Sequence, residues 1–216
     1  MNSTLPTHES KTKILDAALH VIRAKGYSAT RIEDICEAAS LTKGSFFHHF
    51  KSKEDLALAA AEYWTFRTAA LFAASPYNDA SAIPDPVDRL LAYIDLRKAL
   101  IKGDLPDFTC LVGTMVQEVY GTHPQLCKAC CHSIAGHAAT LIPDIEAAMR
   151  QRGLKQGKHA RFTPESLALY TQATIQGAFV LAKAKQNAAT AIDCIDHLHR
   201  YFELLFNQPN SVREVA

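Results

Sequence analysis

The sequence predicts an all-α fold, and three observations predict it. Apolar residues recur at three- and four-residue spacing along nearly the whole chain. The nine glycines and nine prolines fall mostly between those periodic segments. No alternating run of β-branched residues is long enough to suggest a sheet. With 216 residues, 48% of them hydrophobic, the chain suits one compact unit or two small ones with a substantial core. Twenty-three Lys and Arg against 22 Asp and Glu leave a formal net charge of +1, which excludes a histone-like or acidic-tail protein. No run approaches the roughly 18–20 apolar residues of a membrane span. The polar stretch Met1–Ser10 lacks the apolar core of a secretory signal. A cytoplasmic chain with no membrane partner is expected.

The elements follow in order. Residues 11–25 carry Ile14, Leu15, Ala18, Leu19 and Ile22 on one stripe, and Gly26 is a good C-terminal stop. Thr30-Arg31-Ile32-Glu33 reads as a capping box that opens a short helix with Ile32, Ile35, Cys36 and Ala39 inward. After Ser40-Leu41, Thr42 caps a third helix that runs to Phe50. Ser52-Lys53-Glu54-Asp55 is a second box, opening a longer helix from Lys53 to Ala73. This succession, with a short turn between the second and third helices, is a helix-turn-helix layout. A loop covers Ser75 to Pro86, and Val87 to Lys102 is the next helix, with Leu90, Leu91, Ile94 and Ala99 inward. Gly103 to Asp107 is a break. Cys110 to Tyr120 is short and apolar, and Pro124 starts a helix expected to reach Arg152 with a kink at Pro143. Thr163-Pro164-Glu165 starts a helix with no charge from Ser166 to Ala182. The last helix carries Ile192, Ile195, Leu198, Phe202, Leu205 and Phe206. Apolar faces this wide need partners on more than one side.

The informative segment for chemistry is Leu41 to Lys53, which holds no acidic residue but contains Lys43, Lys51, Lys53, His48 and His49. Over residues 1–63 eight basic side chains are matched by eight acidic ones, so charge is segregated here and not abundant. Segregation is what allows approach to phosphate. Gly44 and Ser45 leave the start of the third helix unobstructed. Its free N–H groups, with the hydroxyls of Thr42 and Ser45, are suited to phosphate. Phe46 and Phe50, at i and i+4, should anchor the helix to Ile14, Leu19 and Ile35, leaving the opposite face outward.

The ordered set Ile14-Leu15-Asp16-Ala17-Ala18, Gly26-Tyr27, Thr30, Ile35-Cys36-Glu37-Ala38-Ala39, Lys43 to Phe50 and Lys53-Glu54-Asp55-Leu56 resembles the DNA-binding domain of the TetR family of transcriptional repressors. That resemblance implies a DNA-binding domain over residues 8–65, made of three helices plus a connecting helix, and a helical ligand-binding and dimerisation domain over 66–216. It implies a homodimer on a palindromic operator, released by a small-molecule inducer. The residues it assigns to DNA are Thr30, Arg31, Thr42, Lys43, Gly44, Ser45, Phe47, His48, His49, Lys51 and Lys53, with Lys53 on phosphate and Lys43 nearest the bases. Two departures stand out. Ser40 occupies a turn position where the family usually has Gly, so a non-Gly residue should adopt positive φ there. Phe47 replaces a common Tyr and lacks its phosphate-binding hydroxyl.

For the second part, the last two helices of each subunit are expected to form a four-helix interface through Ala168, Ile175, Phe179, Ile195, Leu198 and Phe202. Tyr93, Cys110, Met115, Tyr120, His137 and Gln176 are the candidate ligand-binding residues. The tract Cys110-Leu111-Val112-Gly113 resembles a branch of the family some of whose members sense electrophiles. A thiol-responsive repressor using Cys110 is therefore the alternative, against a plain pocket-lining thiol. His123, Cys127, Cys130, Cys131 and His132 bring soft donors together, but their spacing matches no closed zinc site, so no metal is assigned. The remaining cysteines read as small buried hydrophobes. There is no G-x-S-x-G, H-E-x-x-H, Walker-type or G-x-G-x-x-G motif, so no catalytic residue and no cofactor are assigned. A helical enzyme or ligand-storage protein that merely kept the helix-turn-helix is the third reading.

Overall fold

The computed structural model describes residues 9–154 and 162–207, and all regular structure among them is helical. The chain packs as two compact units. One holds residues up to Thr68 together with Thr109–Ser133; the other holds Ala69–Phe108 and the residues from Ile134 onward. The sequence boundary at 65 lies close to the end of the first segment, but it omits Thr109–Ser133, which the first unit takes in.

In the first unit, α1 (Glu9–Lys25) buries Ile14, Leu15, Ala18, Leu19 and Ile22, the stripe expected from its period. It ends at Gly26, whose φ of 85° is in the left-handed region that glycine alone enters cheaply. The short helices α2 (Ile32–Ala38) and α3 (Lys43–His49) pack on α1 through Ile35 and Phe46, both fully buried. Between them Ser40 has φ 54°, the strained turn residue the sequence predicts. α4 (Lys53–Ala73) starts as expected, with Ser52 Oγ accepting the Asp55 N–H at 3.0 Å. α7 (Leu111–Val119) packs on α1 and buries Leu111, Val112, Met115 and Val119.

In the second unit, α5 (Pro86–Ala99) lies against α9 (Ile142–Gln151) and α11 (Ala189–Asn207), and α10 (Pro164–Lys185) lies against α9 and α11. Asp85 caps α5 by accepting the Val87 N–H at 2.8 Å, with Pro86 in the first turn. Gly103 to Asp107 is not a plain break, because one helical turn, α6 (Leu105–Phe108), forms there. The helix expected to run from Pro124 to Arg152 is two helices, α8 (Pro124–Ala139) and α9. Pro143 has no N–H to continue the ladder, so it sits in the first turn of a new helix instead of kinking an old one.

Candidate nucleic-acid interface and effector cluster

α3 is held by its inner row and presents its outer row. Phe46 and Phe50 are buried with ring centroids 5.7 Å apart. Thr42 caps the helix by accepting the Ser45 N–H at 3.2 Å. Thr42, Lys43, Gly44, Phe47, His48 and Lys51 are exposed, and Ser45 is half-buried. Phe47 is 55% exposed, with its ring edge-on to Phe46 at 5.2 Å. Lys43 is ion-paired with Glu33 of α2, whose carboxyl it holds below the usual range. Both partners are about half exposed, so the pair is weak and easily exchanged for a phosphate or a base edge.

Four residues expected at DNA, Thr30, Arg31, His49 and Lys53, have partners within the protein. Thr30 is 1% exposed, and its hydroxyl donates to the Gly26 carbonyl at 2.6 Å. The cap of α2 falls to Arg31, whose N–H donates to Asp34 at 2.9 Å. That bond and the Arg31 and Lys25 side chains hold the Asp34 carboxyl down to about 2. Arg31 itself stays exposed but is tied to Asp34. His49 is half-buried, with Nε2 2.6 Å from Ser10 Oγ. Lys53 is the most fully partnered of the four. Its ammonium donates to the Tyr27, Ser28 and Thr30 carbonyls at 3.1, 3.3 and 3.0 Å and lies 4.6 Å from the Tyr27 ring centroid. An ammonium has three donors, so in this structure Lys53 spends all of them on the α1–α2 turn, which it fastens to the start of α4. Glu118 of α7 braces the same turn by accepting the Tyr27 and Ser28 N–H groups at 3.0 and 2.7 Å. A side chain at Gly26 would collide with that carboxylate.

The second unit gathers a buried polar chain inside aromatic walls. Gln172 Nε2 donates to the Tyr93 hydroxyl at 2.9 Å, and that hydroxyl is 2.9 Å from His137 Nε2. Arg97, which can only donate, lies 3.4 Å from the same Nε2, so Nε2 is an acceptor and the Tyr93 hydroxyl donates to it. Burial, and then the nearby Arg97, push His137 down to about 3, so it is neutral. Phe72 stacks 4.4 Å from His137 and 5.8 Å from Tyr93, while Tyr77 stands edge-on to Tyr93 at 5.4 Å.

Of the six ligand candidates, the structure joins only Tyr93 and His137. Gln172 takes the place expected of Gln176, which lies one step around α10 and half-buried. The signal was there: Gln172 shares the inward stripe of Ala168, Ile175 and Phe179. Phe72 and Arg97, the latter one helical turn from Tyr93, were also missed. Tyr120 is 75% exposed and lines nothing inside its unit, and Met115 is fully buried in the first unit's core. Cys110 caps α7, its sulfur accepting the Gly113 N–H at 3.4 Å. Cys130 is buried and its thiol pushed up to about 12, whereas Cys131 is exposed. Among the described residues, no three His, Cys, Asp or Glu side chains converge as metal ligands do.

The six residues expected at a dimer interface all lie in this chain's own core: Ala168, Ile175, Phe179, Ile195, Leu198 and Phe202 are each nearly fully buried. α10 is apolar on two faces, and the period alone does not say which faces inward. The outward face carries Leu169, Tyr170, Val180 and Leu181, with Tyr201 and Leu204 on α11.

The first unit is thus a helix-turn-helix with an exposed third helix, the build of a DNA-reading domain. Residues 14–60 match the family described as bacterial regulatory proteins, tetR family. It is 44% identical over 55 residues to the HTH-type transcriptional regulator CymR of Pseudomonas putida, covering 26% of this chain and 27% of that one. It is 30% identical over 106 residues to the transcriptional regulator AcuR of Cereibacter sphaeroides, covering 49% of this chain and 47% of that one. These matches span less than half the length of either relative. The fold as a whole is similar to the crystal structure of a TetR regulatory protein from Rhodobacter sphaeroides, with a TM-score of 0.75 at 22% identity over 89% of this chain and 98% of that one. No helix among the described residues is long and apolar enough to cross a membrane.

Proposed function

We propose that the chain is a homodimeric transcriptional repressor that leaves its operator when a small molecule binds the second unit. One observation carries this reading: the outward row of α3, Thr42, Lys43, Gly44 and Phe47, is exposed while Phe46 and Phe50 lock the helix from behind. α3 enters the major groove, where Lys43 exchanges Glu33 for a base or phosphate and Phe47 covers its ring against sugar or a thymine methyl. The N-terminal N–H groups of α3, Ser45 and Lys51 supply phosphate contacts. Such a protein acts in the cytoplasm, and it works by binding and not by catalysis.

Two copies pair through the outward faces of α10 and α11, which bury Leu169, Val180, Leu181 and Leu204. The Gln172–Tyr93–His137 chain is the effector site. Inducer binding shifts the dimer to a state whose two α3 helices no longer fit successive major grooves. Movement of α7 reaches the reading head through Glu118, which holds the α1–α2 turn.

Selection of bound fragments from sheared genomic DNA is the test. The expected result is a two-fold-symmetric motif with half-sites roughly 34–36 Å apart. Val180→Glu and Leu204→Glu should sediment as monomers and lose the motif. Absence of any enriched motif refutes the DNA reading, and dimers of wild-type size from both variants refute the interface.

A further inference from the structure

Three cations lie on α5, and two of them have carboxylate partners. Arg89 is held by Asp144 at 2.6 Å and by the Ile83 and Pro84 carbonyls. Lys98 is held by Asp196 at 2.6 Å. Arg97 is different. Among the described residues no carboxylate pairs with it. Its guanidinium lies 5.3 Å from the Phe72 ring centroid and 6.0 Å from that of Phe179, and one Nη is 3.4 Å from His137 Nε2. His137 is neutral and supplies no counter-charge.

A guanidinium presents five donors in a planar fork. Here one is spent on a long bond to His137, and the half-buried cation faces two aromatic rings with no anion to balance it. That fork fits a carboxylate in two parallel hydrogen bonds. The rings of Phe72, Phe179 and Tyr93, all buried, form apolar walls around that cation, against which the body of a ligand would pack once seated. The Tyr93 hydroxyl is already committed between Gln172 and His137, so it does not add a second anion donor. Lys98 is committed to Asp196, which leaves a single unbalanced positive charge. A monoanion balances it, whereas the dianion of a phosphate monoester would carry a charge with no partner.

We propose that Arg97 anchors the effector and that the effector is a small carboxylic acid with an aromatic body. This rests on reading the second unit as the effector-binding part. The full chain, free of DNA, is titrated calorimetrically with benzoate, phenylacetate and cinnamate and with their primary amides, alongside Arg97→Gln and Arg97→Lys. At least one acid should bind about tenfold or more tighter than its amide, as a charge-assisted fork requires. In Arg97→Gln that preference should fall to within about twofold. Arg97→Lys keeps the charge without the fork, so it should bind more weakly yet still prefer the acid; it carries the test if the Gln variant does not fold. Acids and amides of equal affinity, no acid binding below about 10 mM, or a preference that survives in Arg97→Gln would each overturn the assignment. Because no DNA is present, failure of operator recognition leaves this result standing. Acid binding that releases no operator counts against the repressor reading alone.

Discussion

Lys53 in the first unit and Arg97 in the second are both cations set against aromatic rings, 4.6 Å from Tyr27 and 5.3 Å from Phe72. The resemblance ends there. All three Lys53 donors are taken by backbone carbonyls of one turn. Arg97 has one long bond to a neutral ring and an open fork. A cation that is fully partnered by its own chain holds the fold, whereas one left partly unpartnered beside apolar surface is free to hold something else. The same residue class thus fastens the reading head in one unit and awaits a ligand in the other.

Removing the charge from each side chain sharpens this contrast. Lys53→Met keeps the aliphatic stem but strips three carbonyls of their donor, so urea unfolding should show a loss of about 2 kcal/mol. A loss near zero would mean that water replaces the ammonium freely and that Lys53 is available for DNA after all.

The neutral His137 beside Arg97 gives the next largest effect. Its folded pKa, about 3, lies below the ordinary value of an unfolded histidine, 6.5. Between those values the unfolded chain takes up a proton that the folded chain refuses. Stability should therefore fall as pH drops below about 6.5, by on the order of 1 kcal/mol per pH unit, and the drop should be absent from His137→Gln. Equal pH slopes for the two proteins would show that His137 ionises in place, which would repel Arg97 and undo the argument for a single unbalanced charge.

Glu118→Gln tests the other fastening of the α1–α2 turn. Gln keeps one acceptor oxygen, so one N–H retains a neutral bond while the other loses its acceptor to an amide NH2, and the expected loss is about 1 kcal/mol. Operator release by the inducer should weaken in the same variant; unchanged release would remove α7 from the signalling route. The smallest effect belongs to Arg97→Met, which should leave stability within about 0.5 kcal/mol. A substantial loss there would make Arg97 a structural cation like Lys53.

Much of the first unit was legible because its signals are local. The stripe from Ile14 to Ile22, Gly26 at a left-handed turn, the Thr42 cap and the Phe46–Phe50 pair all act within one or two helical turns. Ser40 was legible for the same reason. What escaped was long-range or degenerate. Lys53 reads as a phosphate ligand until its three carbonyls, more than twenty residues earlier, are seen around it. Thr30 and Asp34 both compete to serve the start of α2, and the Gly26 carbonyl one turn back captures the threonine. α10 carries apolar side chains on two faces, so Phe179 and Val180 are equally plausible at an interface until packing buries the first and exposes the second. That Arg97 lacks an acid depends on where Asp144 and Asp196 go, which no local pattern reveals.

The central claim is that the outward row of α3 reads DNA and that Lys53 holds this surface without being part of it. The most direct test is the salt dependence of binding to the selected operator, measured by fluorescence anisotropy for the wild type and Lys53→Met. A phosphate contact contributes close to one unit of slope in log K against log salt. The account predicts weaker binding by Lys53→Met at every salt concentration with an unchanged slope, because the variant loosens the α1–α2 turn and removes no phosphate contact. A slope shallower by about one unit would contradict it and return Lys53 to the DNA backbone.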